Sequence, residues 1–312
     1  MHQSILLALL FSAISARAFP QQLIQVSHEP DSKGGYQFYC INRGYCPYVL
    51  DVELPGLGNG RADRSFPLEM EVRPGRNNIF KLSRIRPDSS ISFRYVVGYH
   101  KGCIQPAPML DFTYLLPIAP GKTTLAHISE GAGKQGTPDS TSNPWYMVRL
   151  KMQPGDTLYS ARRGMVTEVE QGSDLNDQGL ASLGEENYVE IVHADCTFGH
   201  YGVLRKNGAF VKPGQFVEAG VPIGIIGGDK YGRGSEARLS VHYNLPGQGP
   251  KTSGGEELVN WNDVRLMFWT RKLGKMNLKN GYDYTSEFPS AVLNQELKKL
   301  AKPKPGARKK SS

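Results

Sequence analysis

The chain has 312 residues, enough for two domains at roughly 100–200 residues each. Its 37 Lys and Arg against 29 Asp and Glu give a formal charge of +8, a balance that points to an anionic partner. At 21% charged and 39% hydrophobic residues, a wholly disordered chain and a multi-span membrane protein are both excluded, and the 35 Gly and 21 Pro favour short strands joined by turns.

Residues 5–14 are an apolar run too short to cross a bilayer, and Ala16-Arg17-Ala18 follows with the small-x-small pattern of a signal peptidase site. Residues 1–18 therefore read as a signal peptide, with a mature chain from Phe19 that is secreted, periplasmic or held in the cell envelope. No later stretch of about 20 apolar residues offers a transmembrane segment. Export makes Cys40, Cys46, Cys103 and Cys196 candidates for disulfides. Four cysteines allow three connectivities, and the turn Asn42-Arg43-Gly44 makes a local Cys40–Cys46 bridge sterically easy. The spacing is not the paired CxxC kind, so the reading is disulfide or free thiol and not a metal site.

From residue 36 to 116, short alternating segments are punctuated by turns such as Gly56-Leu57-Gly58-Asn59-Gly60 and Arg73-Pro74-Gly75-Arg76. This predicts an N-terminal antiparallel β-sandwich-like domain over 19–117, with binding or scaffolding as its default role. A boundary falls near residues 116–121, and 129–144 read as a long loop rich in Gly, Ser, Thr, Pro and Asn. Strand patterns return over 146–245. A further strand pair is predicted from 264–269 and 280–284, closing a second domain at 118–288. Residues 289–312 read as a short helix, over 290–299, and a basic tail.

Within the second domain, GDTLYSARRGMV at 155–166, NYVEIVHADCT at 187–197 and VKPGQFVEAGVPIG at 211–224 occur in an order and spacing that resemble the lysostaphin/LytM-type zinc endopeptidases. These enzymes cut peptide cross-links in bacterial cell wall. The resemblance covers about 90 residues and implies the family's duplicated hybrid motif, a small antiparallel β-sheet with a groove across it. Mainly β is thus the fold class for both domains.

The resemblance also implies a zinc held by His, Asp and His, with two further His residues acting on the scissile amide. Three such ligands leave a fourth position open, where zinc acidifies a water and polarises a carbonyl. Matched position by position, the metal-binding Asp becomes Arg149, whose guanidinium stays protonated and carries no lone pair for a metal. The upstream His would fall in 137–143, which contains none. Val203 and Ser240 stand at the two catalytic His positions, and only His242 remains at a ligand position.

A catalytically inactive protein follows, with Arg149, Tyr201, Ser240 and His242 lining the old substrate groove and no cofactor. Its partners would be peptidoglycan or a cell-wall hydrolase. The alternative is an active zinc endopeptidase that rebuilds its metal site from His242, His127 and Asp139. Strand alternation sets His200 on the face opposite Tyr201 and Val203, and His193 reads as a structural strand-end residue.

Residues 298–312 hold seven basic residues, two prolines and no acid. Such a segment cannot build a core, and it suits attachment to anionic envelope polymer or lipid headgroups. No RNA- or DNA-binding motif accompanies it, which argues against nucleic acid. Taking away these seven and Arg17 leaves the remainder of the chain formally neutral.

Overall fold

The computed structural model describes residues 22–131, 145–173, 186–228, 234–245, 255–256 and 261–296. The signal-peptide reading, Asp139 and the basic tail lie outside them. The described chain is mainly β, and none of its helices is long and apolar enough to cross a membrane.

Two four-stranded sheets build the N-terminal body. One runs Ile24–Pro30, Tyr36–Asn42, Gly75–Arg84, Gly60–Ala62, and the other Gly255–Glu256, Ser92–Lys101, Tyr48–Gly58, Leu68–Val72. Alternation decides what each buries: Tyr48, Leu50 and Val52 point inward while Asp51 and Glu53 do not. They meet Phe38, Phe80 and Leu82 of the first sheet in one core, where the Phe38 and Phe80 rings stack at 4.2 Å. Gly75, at φ 99°, makes the turn into its strand in a region open to glycine. The pair Gly255–Glu256 comes from far along the sequence and adds a parallel edge beside Gly98 and Tyr99.

The second body is organised by a nine-stranded sheet. Its spatial order is Phe216–Val217, Gly164–Glu170, Tyr188–Val192, Phe198–Gly202, Glu236–Asn244, Trp145–Lys151, Thr123–Gly131, Tyr282–Thr285, with Trp261–Asp263 also paired to Glu236–Asn244. One face carries Val148, Leu150, Val166, Val189, Ile191, Tyr201, Leu239 and Val241 into the core. A three-stranded sheet, Thr157–Tyr159, Pro222–Ile226 and Leu204–Ala209, covers that core with Leu158, Leu204, Ile223 and Ile226.

Several local expectations change on folding. The strand expected at 264–269 is Met267–Thr270, which pairs with Gly274–Met276 and, in parallel, with Thr113–Leu115. Tyr282–Thr285 pairs instead with Thr123–Gly131. Residues 129–131, expected in a loop, belong to that last strand. Phe112, Tyr114, Leu116 and Ile118 all pack in the second core, so the change of core comes before Phe112. Among the described residues the helix is Ser290–Leu293, and the 297–299 end of the expected helix lies outside them.

Of the cysteines, Cys103 and Cys196 are bridged across 93 positions, while Cys40 and Cys46 are buried free thiols. The easy local bridge is not formed. Burial raises both thiols, Cys40 to about 11 and Cys46 to about 12, which leaves them protonated and inert.

Candidate functional site: a charged sheet face

The face of the large sheet opposite the core is polar at every second residue. Glu236, Arg238, Ser240 and His242 share it along one strand. Register extends it sideways: Arg238 lies opposite Arg149, which lies opposite His127, while Ser240 lies opposite His200 and His200 opposite Glu190.

Two arginines directly opposite each other would repel. Glu236 resolves this by bridging them, its Oε1 accepting from Arg238 Nε at 2.8 Å and its Oε2 from Arg149 Nη1 at 3.4 Å. Arg149 Nε also donates to Ser129 Oγ at 3.0 Å. On the other side Arg238 Nη1 donates to Glu186 Oε2 at 2.7 Å, and His200 Nε2 lies 3.4 Å from Glu186 Oε1. Glu186 and Glu236 are almost fully buried, and these ion pairs and hydrogen bonds offset the cost of taking them out of water. The result is a continuous ladder, Ser129–Arg149–Glu236–Arg238–Glu186–His200.

A second group closes one end of the face. Lys101, from the N-terminal body, donates to Glu190 Oε1 at 2.9 Å and to Glu168 Oε2 at 3.0 Å. Thr167 Oγ1 and Tyr188 OH, each at 2.6 Å, fix the same two carboxylates. Burial works against ionisation of Glu190, but the Lys101 ammonium holds its carboxyl below the usual carboxylate range.

His242 packs its ring against Trp261 at 4.5 Å and parallel to Phe198 at 6.1 Å. This burial pushes its imidazole down to about 4, against the pull of the Glu190 carboxylate. His193, buried and bonded through Nδ1 to the Arg163 carbonyl, is pushed down to about 3 by burial and by the Arg162 charge. Both imidazoles fold neutral. Below the ordinary value of 6.5 the unfolded chain takes up protons that the folded chain refuses, so stability falls as pH drops from there toward 4. Asp263, raised to about 6 by burial, acts in the opposite sense between 3.8 and 6. His242→Phe is expected to flatten the acid-side slope by up to about 1.4 kcal/mol per pH unit, read from urea unfolding across that range.

Arg149, Ser240 and His242 thus share one face of the sheet. Tyr201 does not. It is fully buried on the core side, where its hydroxyl accepts from the Ala161 N–H at 3.0 Å. Val203 is also fully buried and sits at φ 70°, just beyond its strand. His200, set aside because it opposes Tyr201, is for that very reason on the charged face. His127 lies on a regular strand. Two strand spacings and four residues separate it from His242, roughly 16 Å, whereas ligands of one zinc sit about 2 Å from the ion.

A zinc at the position implied by the resemblance needs converging lone pairs. Arg149 brings only donors, already engaged with Ser129 and Glu236, and Val203 brings a hydrocarbon. These residues do not fit the ion. Among the described residues, no three His, Cys, Asp or Glu are grouped to hold a metal.

Sequence reasoning missed Glu186, Glu190, Glu236, Arg238 and Lys101. The polar alternation from Glu236 to His242 was a visible sign for two of them. Lys101 has none, because it arrives from the other body.

Residues 143–252 match peptidase family M23. No curated protein matches the chain. Among solved structures, the chain is similar to the catalytic domain of the antimicrobial peptidase lysostaphin from Staphylococcus simulans, at 18% identity over 38% of this chain and 78% of that one, with a TM-score of 0.27. The catalytic domain of the prophage-encoded M23 protein EnpA from Enterococcus faecalis gives 19% identity, 45% and 93% coverage, and 0.28. Helicobacter pylori Csd3 gives 11% identity, 90% and 78% coverage, and 0.29.

Proposed function

We propose that the chain is a non-catalytic relative of peptidase family M23, whose model matches residues 143–252, and that it acts by binding in the cell envelope, on peptidoglycan peptides or on a cell-wall hydrolase. One observation carries this reading. Arg149, where the family resemblance puts a metal-binding carboxylate, is a fixed cation locked to Glu236 and Ser129. A positive charge so placed opposes a divalent ion by several kcal/mol at short range, even at an effective dielectric of about 20. The role therefore takes no zinc.

A face of paired charges has a different use. Its half-buried Arg149, Ser240 and His200 can offer hydrogen bonds to the carboxylates of a wall peptide while the buried carboxylates behind them hold their places. The seven basic residues of 298–312 add attraction to anionic envelope polymer or lipid headgroups.

Co-sedimentation with isolated cell wall tests this, using the chain with and without residues 298–312 in zinc-supplemented buffer. Both forms are expected to sediment with the wall, the shorter one less salt-sensitively, with no soluble wall peptide released. Failure of both to sediment would remove wall binding. Release of cross-link fragments would overturn the non-catalytic reading.

A further inference from the structure

The two bodies meet at one end of the charged face, and three consecutive residues fasten them there. Lys101 is held by Glu190 and Glu168 as described. Gly102 passes so close to Asn244 that a Cβ would lie 2.3 Å from its Oδ1, and its φ of 127° also demands glycine. Cys103 gives its N–H to Asn244 Oδ1 at 3.2 Å and takes Nδ2 on its carbonyl at 2.8 Å. Its sulfur is bridged to Cys196, in the turn joining the strands Tyr188–Val192 and Phe198–Gly202 of the face. Beside this fastening, Val192 and Phe198 leave their own body's core and pack with Cys46 and Tyr48 of the other.

We infer that the Cys103–Cys196 bridge is a redox-sensitive latch that keeps the N-terminal body seated on this end of the face. The polar fastenings on their own are the two ion pairs of Lys101 and two hydrogen bonds to one asparagine, whose net worth against water is modest beside a covalent cross-link. Cys103 is buried, whereas Cys196 is half-buried, so attack is directed to the Cys196 side of the bridge. A dithiol reductant attacks Cys196 through one thiolate, forming a mixed disulfide and releasing the Cys103 thiolate. Its second thiol then displaces Cys196, leaving two protein thiols and the oxidised, cyclic reductant. With the latch open, Lys101 can withdraw, and Glu190, Glu168 and the Phe198 end of the face become available.

Hydrogen exchange on the full chain, with and without dithiothreitol, tests this without any assumption about a wall ligand. Alkylation counts the thiols in parallel. On reduction, two new thiols are expected, with exchange about tenfold faster in Tyr188–Val192 and Phe198–Gly202 and unchanged in Trp145–Lys151. The double variant Cys103→Ser, Cys196→Ser should show the same pattern without reductant. Lys101→Met with the bridge intact should show a smaller acceleration confined to the same strands. New thiols with unchanged exchange would make the bridge a passive cross-link. Equal acceleration in every strand would mark a purely structural role, and either result overturns the latch.

Discussion

Arg162→Met is expected to destabilise the protein by about 3–5 kcal/mol, read as a fall in the urea midpoint at an unchanged slope. The guanidinium is completely buried. It donates to Glu296 Oε1 at 2.9 and 2.6 Å and to Asp195 Oδ2 at 3.0 Å, and it stacks 4.0 Å over the Phe112 ring. Methionine fills much of the space but leaves two carboxylates without their cation in a desolvated site, which is the costly half of breaking a buried pair. Arg162→Lys should recover only part of the loss, because an ammonium cannot reach both carboxylates in the geometry of the fork. Arg162→Met combined with Glu296→Gln should cost less than the sum of the two, since the second change removes a charge that the first has stranded. A loss below about 1 kcal/mol for Arg162→Met would mean that the cluster is solvated in solution.

Glu236→Ala is the second large effect, again about 3–5 kcal/mol. It strands two guanidinium groups that sit directly opposite each other on neighbouring strands, Arg149 and Arg238. Arg238 retains Glu186, and Arg149 retains only Ser129 among the hydrogen bonds described. Adding Arg149→Met to Glu236→Ala should restore stability, because the repulsion disappears with one of its partners. Calorimetric midpoints of the single and double variants decide the matter. A double variant no more stable than Glu236→Ala alone would show that the ladder is not electrostatically coupled.

The fold was largely readable from the chain, because alternation and turn chemistry are local. Tyr48 to Leu54, Val189 to Val192 and Glu236 to Asn244 each announce a strand with one apolar side. Pairing partners were less accessible. Met267–Thr270 looks equally able to pair with either neighbour in sequence, and its parallel contact with Thr113–Leu115 depends on burial of Leu115 and Phe268 from distant parts of the chain. The site was half legible. Arg149, Ser240 and His242 could be placed on one face by position, but burial of Tyr201 follows from which side of the sheet the core occupies. Nothing local to Arg162 reveals that Asp195 and Glu296 will close over it. The +8 charge is informative once located: without Arg17 and the seven basic residues of 298–312 the chain is formally neutral, so nearly all the surplus belongs to its basic end.

The central claim is that Arg149 and its ladder exclude the zinc chemistry that the M23 resemblance implies. Zinc content of the purified full-length protein, measured after equilibration with excess zinc and removal of unbound ion, tests it most directly. Far less than one zinc per chain is expected, with no cleavage of isolated wall. One tightly held zinc per chain, together with cleavage of wall cross-links, would contradict it.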